Sequence, residues 1–160
     1  MKYTPGPQLP TSGLVRVGSA CVPHAGWEAA AGSMPKTSTL PYLRYIRDRT
    51  QKENLTNIRT ILGKSDDPLL PVNSVDAVLL MKSYHEVAQP IVLLRHVRAA
   101  MRPGARLGII DRNARGDDHG VNRGVVVGEI KRASFVLTAD YDFVKPDGDD
   151  YFLIFRIGRR

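Results

Sequence analysis

Val75 to Met81 is a nearly continuous apolar run, broken only by Asp76. Such a run reads as a strand buried on both faces, so the chain must supply sheet neighbours beside it and layers above and below. The flanking text supplies them. Pro90 favours a helix start, and Ile91, Leu94, Val97 and Met101 then form one apolar stripe. Arg95, Arg98 and Arg102 lie toward that helix's C-terminal end, where cations suit the dipole. Pro103-Gly104 stops the helix, and Arg106 to Ile110 reads as the next strand, ending in Asp111.

Upstream, Leu40, Leu43 and Ile46 fall at helical spacing with arginines between them, and Asn54 is a helix stop. Ile58 to Leu62 alternates as a strand before a turn-rich loop, Gly63 to Pro71. Downstream, a weaker helix covers about Val121 to Ala133, interrupted by Gly124 and Gly128. Phe135 to Val144 and Tyr151 to Ile157 flank a Pro146-Asp147-Gly148 turn and read as an antiparallel hairpin. Alternating helices and strands predict a three-layer α/β fold with a mostly parallel sheet, the hairpin placing one antiparallel strand at its edge.

At 160 residues the chain is long enough for one such domain and short for two. Residues 1–39 are a separate, irregular segment in which Gly, Pro, Ser and Thr recur without hydrophobic period. Only Leu14–Val17 and Ala20–Val22 hint there at short extended pieces; residues 40–160 form the α/β domain. No run approaches the length of a membrane-spanning helix, and Met1 to Pro10 lacks the apolar stretch of a signal peptide, so a cytoplasmic protein is expected. The single cysteine, Cys21, forms no internal disulfide and reads as an inert thiol.

Lys and Arg total 23 against 16 Asp and Glu, a net charge of +7. Arg44, Arg47, Arg49, Lys52 and Arg59 face only Asp48 and Glu53, and Arg156, Arg159 and Arg160 close the chain. These cations are scattered and carry no interleaved aromatic platforms, which argues for solvated surface charge over a nucleic-acid footprint.

From about Tyr42 to Ile157 the chain resembles a class I S-adenosylmethionine-dependent methyltransferase of the small-molecule type. The resemblance rests on four segments in order: Asn54-Leu55-Thr56-Asn57-Ile58, Leu70-Pro71-Val72-Asn73-Ser74-Val75-Asp76, Tyr84-His85-Glu86 and Met101-Arg102-Pro103-Gly104-Ala105-Arg106-Leu107. It implies a Rossmann-like sheet, S-adenosyl-L-methionine as cofactor and a small-molecule acceptor.

The family holds its cofactor by a glycine-rich loop after the first strand and an acid at the end of the second. Gly6, Gly13, Gly18, Gly26 and Gly32 never form that loop, and no acid follows a strand before Tyr42, so the fold is expected to be incomplete at the N-terminus. A frame error would explain this, the alternative being a divergent N-terminus that matches by coincidence. Each codon can be reread as the third base of one residue plus the first two of the next. Pro10 to Val17 then permits Asp-(Val or Ile)-Gly-Ala-Gly-Thr-Gly, and Ser33 to Leu40 permits Tyr-Ala-Glu-Asp-Ile-His-Pro. The codons of Met34-Pro35 force Ala and those of Trp27-Glu28 force Gly, both where the family pattern wants them.

Without its first strand, Val75–Met81 is expected to expose an unpaired apolar edge, prone to self-association and only partly folded alone. Leu14–Val17 or Ala20–Val22 are its possible short substitutes. Through such an edge the chain would instead serve as a non-catalytic methyltransferase-like interaction module.

Tyr84 and His85 follow the buried strand, at the edge where open α/β sheets bind ligands, and the resemblance makes them the catalytic candidates. Imidazole is suited to general-base work near neutrality, but His85 and Glu86 read equally as a cap on the following turn. A zinc reading fails, since His-Glu-x-x-His would need a histidine where Gln89 stands. For the cofactor the resemblance points to Asp66 and Asp67 at the adenine and to the backbone of Met81 and Lys82. Direct alignment puts the usual adenine acid at Lys64, and two acids in a Pro-rich turn are also ordinary solvated residues. Asp76 reads as structural, paired with a basic residue or a backbone N–H, and Asp111, at the mouth of its strand, is placed to face substrate.

Overall fold

The structure, a computed structural model, describes residues 14–17, 27–31, 36–56, 58–114, 120–142, 144 and 148–158. Seven strands form one sheet in the order β3-β2-β1-β4-β5-β7-β6. The strands are β1 (Leu14–Val17), β2 (Trp27–Ala31), β3 (Arg59–Leu62), β4 (Val75–Met81), β5 (Met101–Arg112), β6 (Phe135–Tyr141) and β7 (Asp150–Ile157). The helices are α1 (Lys36–Lys52), α2 (Pro90–Ala100) and α3 (Arg123–Arg132), with a single 3-10 turn at Tyr84–Glu86.

β4 is central, as its apolar run requires: it pairs parallel to β1 on one side and to β5 on the other. The expected bare edge is therefore covered. Leu14–Val17 lies in register with Ala77–Leu80, so a four-residue strand suffices to pair the middle of β4. Ala20–Val22 and Cys21 lie outside the described residues. α1 begins at Lys36, ahead of the helical spacing first legible at Leu40.

Two further boundaries differ from the sequence reading. Met101 opens β5 instead of closing α2, because Pro103 disfavours helical backbone at the residue before it. The register then jumps from Val75↔Met101 to Ala77↔Arg106, and Gly104 takes up the irregularity at φ 84°. The hairpin also inserts differently. β7 is antiparallel to both neighbours and lies inside the sheet, leaving β6 at the edge. The burial of the two strands explains the order. Tyr151, Leu153 and Phe155 of β7 are buried, whereas β6 exposes Val136, Thr138, Asp140 and Tyr141.

One face of the sheet carries the core. Leu80, Leu107, Ile109, Leu153 and Phe155 join Leu93, Leu94 and Val97 of α2 and Val126 and Ile130 of α3, all essentially inaccessible to solvent. On β5, Gly108 alternates with Leu107 and Ile109 and faces the other way. A methyl group there would meet Leu79 Cδ1 at 3.0 Å and Phe152 Cε2 at 3.1 Å, so both side chains would have to shift. Gly108→Ala is therefore expected to destabilise the fold by about 1–3 kcal/mol through overpacking. Gly128→Ala is the contrast: on α3 an added methyl meets nothing within 4 Å, and a gain of about 0.5–1 kcal/mol is expected from helix propensity. Urea midpoints of the two variants should move in opposite directions.

Candidate functional site

The C-terminal edge of β4 and β5 gathers polar side chains that are far apart in the sequence. β4 ends at Met81, whose register partner is Ile110. Lys82 turns the chain with φ 50°, a left-handed conformation, while its N–H still donates to Ile110 O at 2.8 Å. That donor is committed to the sheet. Ser83, buried, leads into the 3-10 turn, which closes when Val87 N–H donates to Tyr84 O at 3.1 Å.

The turn is anchored by a carboxylate at the end of β5. Asp111 is completely buried; its Oδ1 lies 2.8 Å from His85 Nδ1, and its Oδ2 accepts from His85 N–H at 3.2 Å. Arg112 N–H adds a third bond to Oδ1 at 2.8 Å. An ionised carboxylate has only acceptors, so His85 Nδ1 must carry the proton in this pair. Nε2 is then the acceptor nitrogen, and among the described residues it has no hydrogen-bond partner. The imidazole retains 18 % side-chain exposure, enough to meet a solute while its far nitrogen is locked. His85 does sit in a turn, as the cap reading expects, yet its ring is held by Asp111 and not by the turn backbone.

Tyr84 is placed otherwise. It is 3 % exposed, and its hydroxyl donates to Glu129 Oε2 of α3 at 2.8 Å. Burial first, then the bond to Glu129, pushes this hydroxyl far above its usual range and keeps it protonated. Tyr151 is buried beside it on β7 and donates to Val121 O at 3.0 Å; burial and the nearby carboxylates Asp111 and Asp150 raise its pKa as well. Lys82 Nζ forms an ion pair with Asp150, whose side chain is fully buried. The segment after β4 is thus tied to β5, α3 and β7 by three separate side chains.

Asp66 and Asp67 follow β3 and engage a different neighbour. Asp67 Oδ1 accepts from Leu69 N–H at 2.8 Å, shaping the turn, and the Asp66 carbonyl lies 2.9 Å from His96 Nδ1 on α2. No bond among the described residues joins either acid to His85 or Asp111. Asp76, as expected, is paired with a base: Arg102 Nη1 lies 2.7 Å from its Oδ2. Sequence reasoning missed Glu129 and Asp150. Glu129 stands 45 residues from Tyr84 and carries no local signal, and Asp150 reads as one more acid of a turn.

No family model and no curated protein matches the chain. Solved structures do. A SAM-dependent methyltransferase from Aquifex aeolicus superposes with a TM-score of 0.71 at 15 % identity, over 91 % of this chain and 81 % of that one. A Burkholderia thailandensis 1,6-didemethyltoxoflavin-N1-methyltransferase, solved with S-adenosylhomocysteine, gives 0.64 at 12 % identity over 92 % of this chain and 72 % of its own. The fold is that of the class I methyltransferases. SpnF, described as a 4+2 cyclase, gives 0.70 at 13 % identity over 93 % and 76 %. One class I methyltransferase fold therefore hosts more than one kind of chemistry, and the site must carry the functional reading.

S-adenosylmethionine, the cofactor this fold implies, can be tested against the residues at the ends of β1 and β2. β2 ends at Ala31 and the chain continues Gly32-Ser33-Met34-Pro35, without a carboxylate for the ribose hydroxyls. β1 ends at Val17, beside Leu80, and continues Gly18-Ser19-Ala20, without the repeated glycines of a close backbone approach. These residues do not fit the cofactor.

Proposed function

We propose that this chain carries the acceptor half of an S-adenosylmethionine-dependent methyltransferase acting on a small molecule. The cofactor half, on this reading, is encoded upstream of Leu40 in the neighbouring frame. The observation that carries the reaction class is the His85–Asp111 pair at the C-terminal edge of β4 and β5, within this fold. A histidine with Nδ1 bound to a buried carboxylate and Nε2 open is arranged to take a proton from an approaching nucleophile. The acceptor is therefore a hydroxyl or amine that must lose a proton as it is methylated. Asp111 holds the imidazole in its working tautomer and stabilises the imidazolium that proton uptake creates. Tyr84, through Glu129, and Lys82, through Asp150, fix the turn that presents His85, so Tyr84 is a positioning residue in this scheme.

Two measurements test the reading. The coding DNA upstream of Leu40 should contain the glycine loop and the acid in one shifted frame. The frame-restored protein should transfer labelled methyl from S-adenosylmethionine to phenolic or amine acceptors. His85→Gln should lower that turnover by about a hundredfold or more, the usual weight of a general base. Restored protein that binds the cofactor yet methylates every acceptor equally well with and without His85 would remove the proposed role. Restored protein that binds no cofactor would favour a non-catalytic module.

A further inference from the structure

A second cavity lies at the opposite, N-terminal edge of β4, between the end of α2 and the end of β7. It is an open groove of about 760 Å³, lined by Arg95 and Arg98 of α2 together with the apolar Val72, Met101, Pro103 and Ile157. That volume is in the range of small-ligand sites. Among the described residues, no carboxylate lines it. Arg98 Nε is buried without a hydrogen-bond partner, and neither Arg95 nor Arg98 forms an ion pair among the described residues. The adjacent acid, Asp76, is already paired with Arg102, which also donates to Asn73 O at 3.1 Å.

Arginines near a helix C-terminus ordinarily serve the helix dipole. That role accounts for a solvated guanidinium and leaves the buried, unpartnered Nε of Arg98 unexplained. Nor does the helix end oppose an anion here. The Ala99 and Ala100 carbonyls already accept from Asn73 N–H at 3.0 Å and Ser74 N–H at 2.8 Å, and the Val97 carbonyl from Met101. Arg95 and Arg98 stand three residues apart on α2, on neighbouring positions of one helix face. Guanidinium forks match phosphate oxygens in pairs, and the apolar residues of the groove suit an apolar or aromatic body.

We propose that this cavity binds a small organic phosphate, its phosphate between Arg95 and Arg98 and its apolar portion against Met101, Pro103 and Ile157. The site is independent of the methyl-transfer reading, since it uses none of the residues at the other edge. Phenyl phosphate, titrated into the full chain by calorimetry, is the probe, with inorganic phosphate and phenol as controls. One saturable site is expected, with each control at least about tenfold weaker. Arg98→Gln and Arg95→Gln should each weaken phenyl phosphate about tenfold or more, the weight of one charged hydrogen bond. Arg132→Gln, an exposed arginine of α3 away from the cavity, should leave binding unchanged. Arg95 is exposed, so its variant keeps the fold and remains informative if Arg98→Gln does not. Absence of saturable binding overturns the proposal. So does inorganic phosphate binding as tightly as phenyl phosphate, or affinity unchanged in Arg95→Gln, either of which would mark a diffuse counter-ion effect.

Discussion

Translating the segment upstream of Leu40 in the shifted frame is expected to tighten S-adenosylhomocysteine binding by about a hundredfold or more over the present chain. The size follows from what the two versions offer the ligand. A carboxylate accepting both ribose hydroxyls makes two charge-assisted hydrogen bonds, each worth about 1.5–3 kcal/mol, and every 1.4 kcal/mol is about tenfold in affinity. The present chain has Gly32-Ser33-Met34-Pro35 at that point. The glycine loop adds backbone N–H groups that side chains at the same positions would hold away from the methionine portion. Calorimetry on both proteins, with matched secondary structure by circular dichroism, decides the matter. Equal affinity for the two would mean that the shifted frame encodes no cofactor site.

In the restored protein, Asp111→Asn is expected to lower turnover by about 10²–10⁴ with little change in acceptor KM. Asparagine keeps the shape and, with its amide nitrogen in the place of Oδ1, gives up the bond from Arg112 N–H while its carbonyl oxygen still accepts from His85 N–H. Its amide then turns toward His85 and donates to Nδ1, which moves the imidazole proton to Nε2. The nitrogen that should receive the acceptor's proton is now a donor. ¹⁵N shifts of the His85 ring report the tautomer directly, a readout that a purely structural role for Asp111 would not invert. His85→Asn should cost a similar amount, and the double variant little more, since the pair acts as one unit. Full additivity of the two losses would refute the coupling.

The succession of elements from Val75 to Pro103 was legible because its strongest signals are local. The Val75–Met81 run, the Pro90 start and the stop before Pro103 each act through nearest neighbours in the chain, and the structure keeps all three within a residue or two. The position of β7 was not legible from the hairpin alone. It depends on which of two strands buries more surface against α2 and α3, a comparison that requires the packed core. At the site, His85 and the mouth of β5 stood out at the end of apolar runs, where ligand-binding residues collect. Glu129 and Asp150 did not, because an acid near a helix or hairpin is ordinary until its distant partner is known. Asp66 and Asp67 are acids of one turn, in which the Asp67 carboxylate accepts from Leu69 N–H and the Asp66 backbone carbonyl meets His96.

Among the residues whose burial is described, every fully enclosed hydrophobic side chain except Leu43 belongs to the stretch from Val75 onward. β1, and through it β2 and β3, joins this buried unit along four paired residues of β4. A lesion confined to the first quarter of the polypeptide would loosen that flank and spare the unit behind it. Such an arrangement separates two kinds of failure, loss of chemistry and loss of folding, which in most small domains arrive together.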